Sequence, residues 1–385
     1  MNNFVYTIPT TVYFGKGQIE NIGKEAVKHG KNALIVFGGG SVKKNGIFQD
    51  AVKYLEAEGV SITELGGVEP NPKIETVAKG KEICLEKGID LIIPIGGGST
   101  IDCAKAIAAA VKYDGNPWDI VEDSTLIKAA LPVIAVLTLA ATGSEMDKVA
   151  VISNMATNQK IGTRDECMRP VAAIMDPEYT YSVNKYQTGS GTADILSHIM
   201  ESYFSNVNSF IHSRVCEALM KTVVHFGPIA LEQPDNYEAR ANLMWAGSWA
   251  INDFLKLGNE VGWSVHPMEH ELSAFYDITH GVGLAILTPH WMRKVLSEKT
   301  VDKFCEFAEN LWGIAPCEDK FAMAEKGIQA TADFFEALGM PKTLSEVGID
   351  EEHFQRMAEK CSGRLASGYV PLSVPEIVEV FEAAK

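Results

Sequence analysis

The chain has 385 residues, 46% of them hydrophobic and 22% charged, which is the composition of a folded protein and excludes disordered, collagen-like and low-complexity classes. Its formal charge is −16 and it carries no Lys/Arg-rich run, so neither a nucleic acid nor an anionic membrane surface is expected as a partner. A single hydrophobic core usually stops growing near about 250–300 residues, so two domains are expected.

In chain order, residues 4–14 alternate roughly and read as a hairpin. Residues 33–37 form an apolar run closed by Gly38-Gly39-Gly40, and a helical stretch follows to about Glu58. Residues 61–65 read as a short strand, and the two prolines of 68–72 make that segment a loop. A helix over 74–87 leads to a buried strand over 90–95, closed by Gly96-Gly97-Gly98. The next helix spans 99–113, with Ser99 or Thr100 as its N-cap. Further strands are expected over 132–138, 149–153 and 171–175. Continuous apolar strands separated by helices predict a parallel sheet covered on both faces.

After Asp176-Pro177-Glu178 the pattern changes. From about Asn184 onward, segments at 193–204, 211–226, 237–256, 290–297, 301–311, 321–338 and 351–360 follow a 3.6-residue period. The expected organisation is therefore an α/β domain over 1–183 and an all-helical domain over 184–385. No run reaches 18 apolar residues, so no membrane span is expected. The first residues lack a basic stretch ahead of an apolar core, so no signal peptide is expected. Seven cysteines without a CxxC suit reduced thiols and a cytoplasmic location.

Two of the strands end in Gly-Gly-Gly-Ser, at 38–41 and 96–99. A glycine turn opening a helix lets a phosphate approach backbone N–H groups at the positive end of that helix. The second copy is the candidate pyrophosphate cradle, although its spacing is neither a Walker motif nor GxGxxG, and the same turn serves tight packing equally well. At the first copy, the position where NAD enzymes often hold an acid is Gly and Ser, with Lys43 and Lys44 close by. That pattern leans to NADP(H) over NAD(H), unless both lysines are simply solvated. A third loop, 138–145, is small and hydroxyl-rich and suits phosphate, ribose or an amide, or a plain helix cap.

Among nine histidines, the informative set is Asp194, His198, His266, His270 and His280. Asp194 and His198 are four apart on a predicted helix, and His266 and His270 repeat that spacing. Two such pairs, with His280 ten residues later, can converge on one divalent cation. Carboxylate with imidazole suits Fe²⁺ or Zn²⁺ better than Mg²⁺ or Ca²⁺. Residue 267 is Pro, so this is not the HExxH of a metalloprotease. Trp245, Trp249, Phe254, Trp263 and Phe275 are candidates for lining a substrate pocket, or core residues at helical spacing.

Taken in order, Gly96-Gly97-Gly98-Ser99-x-x-Asp102-x-x-Lys105, Thr142-Gly143-Ser144-Glu145, Asp194-x-x-x-His198 and His266-x-x-x-His270 with His280 resemble the iron-containing (group III) alcohol dehydrogenases. The resemblance runs essentially end to end and looks nearest to the butanol dehydrogenase and broad aldehyde reductase branch. It implies a Rossmann-like dinucleotide-binding domain followed by a helical metal-binding domain, in the dehydroquinate synthase-like plan. It implies Asp194, His198, His266 and His280 as ligands to one divalent metal, Fe²⁺ or alternatively Zn²⁺. His270 would lie near the nicotinamide as the proton relay. Gly97, Gly98 and Ser99 would hold the pyrophosphate, and Gly38, Gly39, Gly40 and Ser41 would surround the adenosine ribose. Asp102, Thr138, Thr142 and Lys160 would complete the cofactor site. The expected activity is NAD(P)-linked interconversion of short-to-medium primary alcohols and aldehydes, by a homodimer. One departure stands out: Met146-Asp147-Lys148-Val149 replaces Asn and small residues where the nicotinamide pocket is expected. Related folds offer glycerol dehydrogenase or dehydroquinate synthase chemistry, or a non-catalytic cofactor-binding relative, as the alternatives.

Overall fold

The computed structural model describes residues 1–207 and 209–385. Eight strands are present among them: β1 (Thr11–Phe14), β2 (Asn32–Phe37), β3 (Ser61–Leu65), β4 (Leu91–Gly96), β5 (Ile134–Leu137), β6 (Val149–Asn154), β7 (Gln159–Arg164) and β8 (Ala172–Met175). Six form one sheet in the order β1-β8-β5-β4-β2-β3, with every pairing parallel. The remaining two, β6 and β7, make an antiparallel hairpin.

The apolar runs form strands because both faces of the sheet are covered. Successive side chains point to opposite faces. Ala33, Ile35, Phe37, Leu91, Ile93 and Ile95 accordingly enter one core cluster, while Leu34, Val36 and Ile92 enter another. Every residue of β4 is buried. The expected hairpin over 4–14 is absent: β1 starts at Thr11 and pairs in parallel with β8, a partner some 160 positions away that local alternation cannot reveal. The helix after β4 is Gly98–Ala110 and its N-cap is Gly97, two to three residues ahead of the expected Ser99 or Thr100.

The chain divides into two compact units. One comprises Thr7–Val183 with Pro234–Asn252, and the other Met1–Tyr6, Asn184–Gln233 and Asp253–Lys385. A single division at 183/184 therefore does not describe them. Helix Tyr237–Ile251 packs with the sheet unit: Trp245 meets Phe14 edge-on, and Ser248 donates to Glu145. The first six residues sit in the helical unit, where Asn2 N–H donates to Gly258 O.

At the centre of the helical unit is helix Lys185–Tyr203, buried at every position from Thr188 onward. A helix buried all round must carry its polar groups inward. Asn184 caps it by accepting from Gln187 N–H. Helices Phe210–Glu232 and His280–Val295 pack against it. A Cβ on Gly281 would stand 2.1 Å from Ser190 O, so His280 enters at a point where two helix backbones meet closely.

Candidate metal centre and cofactor turn

Three helices of the helical unit supply the acid and imidazole groups. Asp194 and His198 leave the buried helix Lys185–Tyr203 one turn apart. His266 and His270 do the same on Val265–Tyr276, and His280 opens His280–Val295. Asp194 Oδ1 lies 3.7 Å from His198 Nδ1, 3.7 Å from His266 Nε2 and 3.7 Å from His280 Nε2. Asp194 Oδ1, His198 Nδ1 and His266 Nε2 are all buried without a hydrogen-bond partner. Buried polar atoms left unpaired cost free energy, so their convergence needs a partner. Two donors about 2.1 Å from one ion in tetrahedral directions lie about 3.4 Å apart, close to the spacings here, and the Asp-plus-imidazole set fits a borderline divalent cation.

The electrostatics follow from that convergence. Burial alone raises the Asp194 carboxyl, but His198, His266 and His280 outweigh it and hold the group far below the usual range. Burial lowers His198 to about 4 against the pull of Asp194. Burial works the same way on His266, yet Glu201 and Asp194 outweigh it and raise the ring to about 9. The His198 and His266 rings stack at 4.6 Å, and Trp263 meets both edge-on. The half-buried His270 ring stands 5.6 Å from His280 and 6.5 Å from His266, beside the convergence point of the other three rings.

In the sheet unit, the turn at 96–98 meets the loop at 138–145. Thr138 N–H donates to Gly96 O, and a Cβ on Gly98 would stand 2.2 Å from Thr142 Oγ1. Only glycine permits that approach. Gly97 caps the thirteen-residue helix Gly98–Ala110, leaving its first N–H groups and Ser99 at the mouth of the turn. The half-buried Asp102 accepts from Ser144 Oγ and from Val151 N–H at 2.9 Å, so its carboxylate braces the loop from below. Lys160 is buried on β7, opposite Ser153. At the other glycine turn, Gly40 is left-handed (φ 93°) and Ser41 opens a four-residue helix. Here Lys43 does not project freely: its Nζ pairs with Glu64 at 2.5 Å and lies 4.5 Å from the Phe48 ring centre.

Comparison with known proteins places both halves of the chain in one family. The family model "Iron-containing alcohol dehydrogenase" matches residues 9–177, and "Fe-containing alcohol dehydrogenase family, C-terminal" matches residues 188–385. The chain belongs to the iron-containing alcohol dehydrogenase family. It is 52% identical to NADH-dependent butanol dehydrogenase B of Clostridium acetobutylicum across 99% of each chain. It is 38% identical to the NADPH-dependent aldehyde reductase YqhD of Escherichia coli, across 94% of this chain and 93% of that one. The crystal structure of NADH-dependent butanol dehydrogenase A from Thermotoga maritima superposes with a TM-score of 0.94 at 34% identity, covering 100% of this chain and 99% of the other. This member of the family is an alcohol/aldehyde oxidoreductase.

Some features of this dehydrogenase are not legible in its sequence. Asp147 and Lys148, expected as two charges in the nicotinamide pocket, are both engaged by neighbouring groups. Asp147 turns inward to the fully buried Lys105, with Nζ to Oδ1 at 2.7 Å, and Lys148 pairs with Glu166. Lys105 Nζ also donates to Ser144 O at 3.0 Å. Two buried acids beside the imidazoles, Glu201 and Glu269, are likewise not legible in the sequence. Their only sequence signal is position, three residues after His198 and after His266 respectively. Of the aromatic candidates, Trp263 joins the histidines, whereas Trp245 and Trp249 pack on each other in the sheet unit.

Proposed function

We propose that this chain is a divalent-metal, nicotinamide-dependent dehydrogenase that works chiefly as a reductase of short-to-medium primary aldehydes. The observation that carries the reading is Asp194 Oδ1 standing 3.7 Å from three imidazole nitrogens in a buried site. Asp194, His198, His266 and His280 are the proposed ligands, with Fe²⁺ as the first choice and Zn²⁺ as the alternative. When bound, the cation supplies Lewis-acid polarisation of the substrate oxygen and the nicotinamide supplies or accepts the hydride. The chain's own residues position and exchange protons. The N–H groups of Gly98 and Ser99 receive the pyrophosphate at the start of a long helix. Thr138 and Thr142 line the nicotinamide side, with Asp102 and Lys160 completing the site. Gly38–Ser41 faces the adenosine ribose. His270, set beside the ligand cluster, passes the proton between substrate oxygen and solvent.

Two observations support NADH over NADPH, the reverse of what the lysine pair suggests in the sequence. Lys43, the cation nearest the first glycine turn, is engaged by Glu64, and relatives at 51% and 52% identity are named NADH-dependent. A homodimer belongs to the same reading through the family resemblance. A cytoplasmic location is supported by seven cysteines that are all free of disulfides. Among the described residues, no helix is long and apolar enough to cross a membrane. Initial rates of butanal reduction by Fe²⁺- or Zn²⁺-loaded protein, with NADH and with NADPH, test the proposal. Turnover of butanal well above glycerol, with NADH preferred, is the expected result. No cofactor oxidation across a panel of aldehydes would refute it in favour of a non-catalytic relative.

A further inference from the structure

Two buried carboxylates stand behind the ligand histidines, and each takes the ring nitrogen that points away from Asp194. Glu201, 3% exposed, accepts His266 Nδ1–H at 2.8 Å together with the backbone N–H groups of Ser264 (2.7 Å), Val265 (2.9 Å) and His266 (2.9 Å). It is thus an acidic cap, supplied by a neighbouring helix, on the positive end of Val265–Tyr276. Glu269 is fully buried; it accepts His280 Nδ1–H on Oε2 and Ser273 Oγ–H on Oε1. In both cases the far nitrogen, Nε2, is the one 3.7 Å from Asp194 Oδ1.

We infer that Glu201 and Glu269 are a pair of positioning residues: by holding the Nδ1 proton of His266 and of His280, they present Nε2 of each ring to the cation. An imidazole has two nitrogens, and the hydrogen bond made by one decides which is left as the lone-pair donor. The two acids act from different places. Glu201 also holds a helix end, so removing it disturbs folding as well as the ring. Glu269 reaches from the His266 helix to the next one, and Gly283 makes its room there. A Cβ at 283 would stand 2.8 Å from Glu269 Cγ and 3.3 Å from Oε1. Gly283 touches no proposed ligand through a side chain, yet an added methyl group there displaces Glu269 and, through it, His280. The group Glu269, His270 and His280 is close enough to suggest a metal site of its own. Because Glu269 Oε2 is already engaged with the His280 ring, the geometry assigns it to orientation instead.

The inference rests on His280 being a ligand, and the test separates the two. Zn²⁺ affinity is measured by competition with a chromophoric chelator for wild type, E269A, E269Q, G283A and H280A. The Co²⁺ ligand-field spectrum of each loaded protein is recorded, with thermal unfolding of the metal-free forms as the folding control. Outer carboxylates of this kind typically contribute about 10–100-fold to metal affinity. E269A and G283A are expected to lose affinity in that range, with E269Q, which keeps an acceptor oxygen, between them and wild type. All three are expected to keep the wild-type coordination number in the Co²⁺ spectrum. Wild-type affinity in E269A and G283A, with H280A impaired, overturns the positioning role alone. Wild-type affinity in H280A overturns the ligand reading itself. A Co²⁺ spectrum of E269A that has lost a ligand overturns orientation in favour of direct coordination.

Discussion

Replacing Lys105 by Met probes how the glycine turn at 96–98 is held. Lys105 is fully buried on helix Gly98–Ala110, and its Nζ donates to Asp147 Oδ1 at 2.7 Å and to Ser144 O at 3.0 Å, 3.7 Å from Asp102 Oδ1. Burial raises the Asp102 carboxyl, Lys105 opposes that rise and Asp147 adds to it. Methionine fills the same volume but leaves two carboxylates facing each other with no cation. Removing one partner of a buried pair costs about 3–5 kcal/mol, a large part of the roughly 5–15 kcal/mol that holds a protein folded. The double variant K105M/D147N removes both charges and is expected to recover about 1–3 kcal/mol of that loss, since contacting sites are not additive. Urea unfolding of the metal-free protein reads the stabilities, and NADH titration reads the turn. K105M is expected to weaken NADH binding as the loop carrying Thr142 and Ser144 loosens. Its stability deficit should shrink as pH falls, because the Asp102 carboxyl, raised by burial and no longer opposed by Lys105, takes up a proton. A K105M protein within about 1 kcal/mol of wild type, or strict additivity in the double variant, would show that the buried lysine is not what braces this loop.

Three further outcomes are expected. Glu145 is fully buried, and burial raises its carboxyl from 4.5 to about 6. Its neutral form is therefore favoured by the fold, and the associated stability is present below pH 4.5 and lost as pH rises through 6. The stability difference between E145Q and wild type should grow by roughly 2 kcal/mol in favour of Gln between pH 4.5 and 7.5, and a pH-independent difference in urea titrations would contradict it. H270A should retain bound metal while losing at least about 10²-fold in kcat, whereas H280A should lose both; elemental analysis beside kinetics decides, and equal metal loss in the two defeats the division of roles. G98A places a methyl group against Thr142, so NADH KM should rise more than about 10-fold with metal content unchanged; an unaltered KM would mean that this turn does not carry the cofactor.

Much of the proposed site is readable in the sequence because its signals are local. The spacings 194/198 and 266/270 put side chains one above the other on a helix whatever the helix packs against. The strand at 91–96 announced itself because burial on both faces demands an unbroken apolar run. Glu201 and Glu269 were not readable, since an acid on a helix is ordinarily solvated and only packing removes the water. The same holds for Asp147, whose partner Lys105 lies 42 positions away.

The sequence by itself determined the parallel sheet, the helical half, the glycine turns and the acid–imidazole set, because periodicity and spacing act over one or two turns of chain. Tertiary structure alone decided which unit takes the 234–252 helix and the first six residues, that β1 pairs with β8, and that the charges at 147 and 148 turn to partners in the fold. It also decided which nitrogen of His266 and of His280 faces Asp194. Each of those depends on contacts between residues far apart in sequence, and burial, which sets the strength of every charge interaction here, exists only once those contacts are made.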